Sequence, residues 1–161
     1  DFCNLVSKSI DDLRMVASEA GIHIELARPA DSIYIKGDIR RIERIMRNLL
    51  TNAIDHADGK PITVSIKGDQ SAVAVSVRDH GIGLDKESAL RVFDRFWRAD
   101  PSRSRIRGGT GLGLSMALED ARLHNGELEV YGEPGRGANF VLTLPLQAGG
   151  EIPQRIIPFK F

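Results

Sequence analysis

The stretch Asn48-Leu49-Leu50-Thr51-Asn52-Ala53-Ile54-Asp55 decides how the rest of the chain is read. It lies in a run where Ile39, Ile42, Ile45, Met46, Leu49, Leu50, Ala53 and Ile54 form one broad apolar stripe at helical spacing. Asp38 stands where an N-cap belongs. Asn48 and Asn52 are four residues apart and Asp55 is three further on. At about 100° per residue these three share a second stripe beside the apolar one. An amide carbonyl is a neutral oxygen donor, suited to Mg²⁺ that shares its ligands with substrate phosphates. Taken alone, the spacing also describes two exposed or capping asparagines.

Upstream, Ile10, Leu13, Val16 and Ala17 predict a helix capped by Ser7 and stopped at Gly21. Alternation over Ile22 to Leu26 predicts a strand, and Ser32 to Lys36 a second short one. Downstream, Asp58-Gly59-Lys60-Pro61 breaks the long helix, and strands are expected over Ile62 to Lys67 and Ala72 to Asp79. A short helix is expected from Glu87 to Phe93, an Arg-rich loop from Arg95 to Gly109, and a helix from Gly111 to His124. Leu128 to Tyr131 and Asn139 to Leu144 close the chain as a hairpin around Glu133-Pro134-Gly135. Residues 1–146 thus read as one α+β domain and residues 147–161 as a flexible C-terminal tail. The apolar Ile152 to Phe159 has neither helical nor alternating period; a docking peptide is the other reading of it.

Two further elements carry chemistry. Asp79-His80-Gly81-Ile82-Gly83 ends an apolar strand. A carboxylate there can accept a hydrogen bond from an exocyclic amine while glycine backbone closes around a flat ring; a plain turn after a strand has the same composition. Gly108-Gly109-Thr110-Gly111-Leu112-Gly113-Leu114 runs into a helix. Such glycines leave N–H groups free to face phosphate, with the helix dipole adding to the attraction. No Gly-Lys-Ser/Thr follows, so it is not a Walker A loop, and an Arg-rich loop rather than a strand precedes it, against a dinucleotide fingerprint. A flexible hinge is the alternative.

Composition narrows the classes. The 161 residues hold 22 Lys+Arg against 22 Asp+Glu, which argues against a nucleic-acid binder or a polybasic membrane-surface module. Locally the balance is uneven: from Arg91 to Arg107 six Arg face two Asp, beside the glycine run. Cys3 is the single cysteine, so no intrachain disulfide forms and a reducing setting is favoured. No apolar run is long enough for a membrane span, and Asp1-Phe2-Cys3-Asn4 reads as the start of a piece of a longer polypeptide.

Taken in order, the elements resemble the ATP-binding catalytic domain of bacterial sensor histidine kinases, in the GHKL (Bergerat-fold) superfamily. Asn48 to Ala53 is similar to its N box, Asp79 to Gly83 to its G1 box, Phe93-Asp94-Arg95-Phe96-Trp97-Arg98 to its F box and Gly109 to Leu114 to its G2 box. The wording of Phe96 to Arg103 and Glu119 to His124 is similar to MtrB-type kinases of actinobacteria. The resemblance implies a two-layer α/β sandwich, a mixed sheet of about five strands on three helices. It also implies ATP and Mg²⁺ as cofactors, with Asn52 as metal ligand and Asp79 bound to the adenine amino group. Gly81 and Gly83 would shape the adenine pocket. Gly109, Thr110, Gly111, Leu112, Gly113 and Leu114 would line the phosphates, with Arg98 reaching them from a lid. Where many members carry Lys or Arg and then Tyr, this chain has Asp55-His56, kept among the nucleotide-binding candidates. Where the last hairpin often has Ser/Thr-Thr-Phe, it has Ala138-Asn139-Phe140, so Asn139 is expected to replace a hydroxyl that holds the adenine Asp.

Superfamily ATPases typically place Glu where this chain has Asn48, and a neutral amide cannot take a proton at pH 7. Phosphoryl transfer to a histidine is therefore favoured over hydrolysis, and the resemblance makes Asn48 and Arg98 the catalytic candidates. His23, His56, His80 and His124 do not sit in a phosphoacceptor motif. The expected partners are the dimerisation domain of the same kinase, which carries that motif, and a response regulator. The fragment is expected to be monomeric, to bind ATP without autophosphorylating and to touch no membrane. The parent is expected to be a membrane-anchored homodimer with this domain in the cytoplasm.

Overall fold

The computed structural model describes residues 1–98 and 111–158. Four helices and five strands follow one another along them: α1 (Phe2–Glu19), β1 (Ile24–Ala27), α2 (Ile39–His56), β2 (Ile62–Gly68), β3 (Ala72–Asp79), α3 (Lys86–Arg91), α4 (Gly113–Leu123), β4 (Glu127–Glu133) and β5 (Gly137–Pro145). The strands form one sheet in the order β1-β2-β3-β5-β4. β1 runs parallel to β2 and every other pair is antiparallel. The mixed two-layer α+β architecture expected from the four boxes is borne out. α1, α2 and α4 carry the helical layer, and the six-residue α3 buries none of its residues.

The core lies between that layer and one face of the sheet. α2 contributes Ile42, Ile45, Met46, Leu49, Leu50, Ala53 and Ile54, the stripe read from the sequence, and the Asp38 carboxylate accepts from Arg41 N–H at 3.2 Å as its cap. Facing it, Val73, Val75 and Val77 of β3 lie directly opposite Leu144, Leu142 and Phe140 of β5. α1 starts before Ser7, with Asp1 accepting from Asn4 N–H, because Phe2, Cys3 and Val6 extend the apolar stripe upstream.

Residues 32–36 are not a strand. Ile33 and Ile35 pack on the core from an extended segment, with Phe2 N–H donating to Ile33 O and Lys36 N–H to Leu146 O. A period of two marks every second side chain turned inward, and a segment crossing the ends of an existing sheet satisfies it without a ladder.

The expectation of a flexible tail does not describe residues 154–157. Ile157 is buried with Ala74 and Val141 on the sheet face away from the helices, and Ile156 packs beside it. Arg155 grips Glu129 through two hydrogen bonds of 2.8 and 2.9 Å. This strap covers Val141, which β5 turns to the sheet face away from the core.

Candidate nucleotide site

The site forms where α2, the end of β3 and the start of α4 converge. Asn48, Asn52, Asp55 and His56 are half-buried along one stripe of α2, as the spacing requires. The C-terminal end of that helix is closed by the turn after β3: Ile82 N–H donates to His56 O at 3.3 Å. Gly81 sits so close that a Cβ would lie 1.7 Å from the same carbonyl, so no other residue fits there. Gly83, at φ +76°, presses on Glu133 O, 1.9 Å from where its Cβ would be. Gly137, at φ +89°, does the same against Asp79 O at 2.0 Å. Three glycines therefore knit the turn to α2 and to the β4–β5 hairpin. In the sequence Gly137 is marked only as a glycine two residues after the hairpin's Gly135; its close approach to Asp79 O is a tertiary feature.

Asp79 ends β3 on the core face and is 1% exposed. One of its oxygens accepts from Gly81 N–H at 3.0 Å. Burial pushes its carboxyl up to about 6, against the opposing pull of the Gly81 and Ala138 amides. The expected support from Asn139 is not there. Asn139 pairs in register with Arg78, which points away from the face that holds Asp79, and it lines a cleft on the outer face with Ser65 and Ser76. The physical reason is parity: Ala138 and Phe140 turn into the core, so the residue between them turns out.

Of the glycine run, Gly109 and Thr110 lie outside the described residues. Gly111, Leu112, Gly113 and Leu114 stand at the amino end of α4, and Leu112 at the cap position makes no side-chain capping bond. The first N–H groups of a helix have no intrahelical partner, so this end offers donors. Gly113 faces the N box: a Cβ on it would lie 3.3 Å from Asn48 Oδ1. Asn48 Nδ2 is buried and makes no hydrogen bond among the described residues, nor does Arg98 Nε.

The F box is split in its roles. Phe93 meets Phe140 edge-on, ring centres 6.1 Å apart, and Trp97 packs on the core, while Phe96 is 70% exposed. Phe96 also holds φ +64° and donates its N–H to Gly111 O at 2.8 Å. The two flanks of residues 99–110 are thereby tied together. His124 is structural: its Nε2 accepts from Asp38 N–H at 3.0 Å, so the ring proton lies on Nδ1, which donates to Asp120 O at 2.8 Å. His80 Nδ1 faces Pro61 O at 3.0 Å, and His23 lies 3.9 Å from Glu25.

Residues 37–148 match the model of the family described as histidine kinase-, DNA gyrase B-, and HSP90-like ATPase. The chain belongs to this ATPase family. It is 48% identical over 160 residues to the sensor histidine kinase MtrB of Mycolicibacterium paratuberculosis, covering 99% of this chain and 28% of that protein. To the sensor-like histidine kinase SenX3 of Mycolicibacterium smegmatis it is 34% identical, covering 90% of this chain and 38% of the relative. The chain thus spans little more than a quarter of the MtrB relatives it matches. Among solved structures, full-length ShkA in complex with AMPPNP superposes with a TM-score of 0.81 at 26% identity, over 96% of this chain and 32% of that one. The catalytic domain of the histidine kinase ThkA, nucleotide-free, gives 0.79 at 21% identity over 91% and 95% of the two chains, a likeness of fold. The family read from the four boxes is borne out, and with it the membership of an ATP-binding superfamily. Among the described residues no helix is long and apolar enough to cross a membrane.

Proposed function

We propose that the chain is the catalytic domain of a sensor histidine kinase, which holds ATP and gives its γ-phosphoryl group to a histidine on another domain. The observation that carries this is the meeting of a neutral amide, Asn48, with the uncapped amino end of α4, beside a deeply buried carboxylate at the end of β3. Asp79 accepts from the adenine amino group, and Gly81 and Gly83 let backbone approach the ring. Gly111 to Leu114 offer N–H groups to the phosphates, with Gly109 and Thr110 the neighbouring candidates in sequence. Arg98, with its buried Nε, adds charge from the lid side.

The donor set fits Mg²⁺ brought in on the triphosphate. No group of three or more His, Cys, Asp or Glu among the described residues could hold a metal by itself, which leaves amide and phosphate oxygens. Asn52 would hold the ion, with Asp55 and His56 beside it at that corner; its charge would offset the charge that builds on the phosphate oxygens. Asn48 cannot deprotonate water, so the pocket orients and shields the phosphates without activating hydrolysis. A neutral imidazole nitrogen of the partner attacks the γ-phosphorus in line, the bond to the bridging oxygen breaks, and ADP leaves. The phosphoryl group then passes to an aspartate of a response regulator. The parent is a membrane-anchored homodimer with this domain, itself monomeric, on the cytoplasmic side.

Incubation with γ-labelled ATP and Mg²⁺ tests the proposal. The chain alone acquires no label and releases phosphate slowly; a phosphoacceptor domain from an MtrB-type kinase, supplied in trans, acquires acid-labile label. Rapid phosphate release without an acceptor, or label on the chain itself, sinks it.

A further inference from the structure

We infer that Asp120 is a positioning residue for the nucleotide, an ionic clamp that sets where α4 stops along α2; the inference rests on the nucleotide reading above. Asp120 is 1% exposed. Arg44 Nε and Nη2 each lie 2.7 Å from one of its oxygens, and Arg41 Nη1 lies 3.0 Å from one of them. These bonds hold its carboxyl below the usual range, Arg44 most strongly. One turn on, His124 ties Asp120 O to the Asp38 amide that opens α2. The clamp therefore joins the carboxyl end of α4 to the amino end of α2.

Besides Asp120, the fully buried residues of α4 are Ala117 and Ala121, with Leu114 and Leu118 half-buried against the core. Large interlocking side chains fix the axial register of packed helices, whereas alanine ridges are shallow and slide with little loss. Buried ionic groups are best attested as devices that select one register among several of similar packing. Here the register decides a functional distance. α2 and α4 run antiparallel, with Arg44 opposite Asp120 and Asn48 opposite Gly113. Asp120 and Gly113 sit on one rigid helix about 10 Å apart along the axis. Gly113 faces Asn48, a Cβ on it lying 3.3 Å from Asn48 Oδ1, so the α2–α4 register sets where the α4 amino end stands relative to the N box and the phosphates. The adenine pocket, built from β3 and its turn, does not depend on this register.

That difference supplies the test. ATP·Mg²⁺ and adenosine are titrated calorimetrically against the wild type, Asp120→Asn and Arg44→Gln, and against Leu13→Ala, a destabilising change on α1 remote from the site. All are measured below the melting onset of the least stable protein. Asp120→Asn is expected to lose ATP affinity about tenfold or more while adenosine affinity stays within twofold of wild type. Leu13→Ala is expected to melt lower yet bind both ligands normally. ATP affinity retained within twofold in Asp120→Asn, or lost in parallel with adenosine or with Leu13→Ala, overturns the clamp. Should Asp120→Asn not fold, Arg44→Gln is read by the same criteria. A wild type with no ATP affinity overturns the nucleotide reading itself and the clamp with it, whereas normal wild-type binding with an unaltered variant overturns the clamp alone.

Discussion

Replacing Asp79 with Asn separates what this carboxylate does for the fold from what it does for the ligand. Burial raises the carboxyl from its ordinary 3.8 to about 6. A folded value above the unfolded one means that the native state holds the proton more tightly. As pH rises from about 4 to about 6 the unfolded chain gives up this proton first, and native stability falls; above about 6 the loss is constant. At 1.36 kcal/mol per pH unit the buried charge costs the fold about 3 kcal/mol at neutral pH. Asn keeps the shape and still accepts from Gly81 N–H, but its amide cannot also serve the Ala138 N–H, which returns about 1 kcal/mol. Asp79→Asn is therefore expected to be more stable than wild type by about 2 kcal/mol at pH 7.5 and by much less at pH 4.5. Urea denaturation at both values reads the difference. Asp120, whose carboxyl is held low, shifts stability the opposite way at acid pH, but it is common to both proteins and cancels. ATP titration of the same pair is expected to show binding lost in Asp79→Asn, and wild-type affinity rising from pH 5 to pH 7 as the acceptor ionises. A variant less stable than wild type at pH 7.5, or a stability gap that does not widen between pH 4.5 and 7.5, refutes the assignment of a costly buried charge.

Three further outcomes follow from the packing. Gly81→Ala puts a methyl 1.7 Å from His56 O, a backbone atom that cannot yield, so a loss of about 3 kcal/mol or more is expected in urea denaturation, with ATP binding abolished. Ile157→Ala uncovers Ala74 and Val141 on the outer sheet face and is expected to cost about 1–2 kcal/mol by the same measurement, leaving ATP affinity intact. If the exposed Phe96 ring meets the acceptor domain, Phe96→Ala, at a side chain 70% exposed, is expected to keep ATP affinity and melting temperature near wild type while slowing phosphoryl transfer to a supplied acceptor domain about fivefold or more; unchanged transfer would show that the ring takes no part in that contact.

Much of the candidate site is written in local spacing. The Asn48–Asn52–Asp55 stripe, the Asp79 turn and the glycines before α4 each follow from periods of 3.6 or 2 and from the backbone freedom of glycine. The order of the four boxes then specified the family. Two errors were also local in origin. The period of two over residues 32–36 records inward-turned side chains, not a ladder partner, and the parity of Ala138 and Phe140 in the core denies Asn139 a place beside Asp79. Asp120 was legible in part, since its phase with Ala117 and Ala121 puts it inside. Its partners Arg41 and Arg44 lie more than seventy residues away, and no period links them.

By itself, then, the chain of residues determined most of its elements, its superfamily and which side chains share the candidate-site stripe of α2, because those depend on neighbours within a turn or a strand. Only the tertiary structure decided the α2–α4 register, the close approaches of Gly81 to His56 O, Gly83 to Glu133 O and Gly137 to Asp79 O, and the strap that carries Ile157 onto the sheet. Each of these is a meeting of segments far apart in sequence, selected by shape and charge once the whole core has closed.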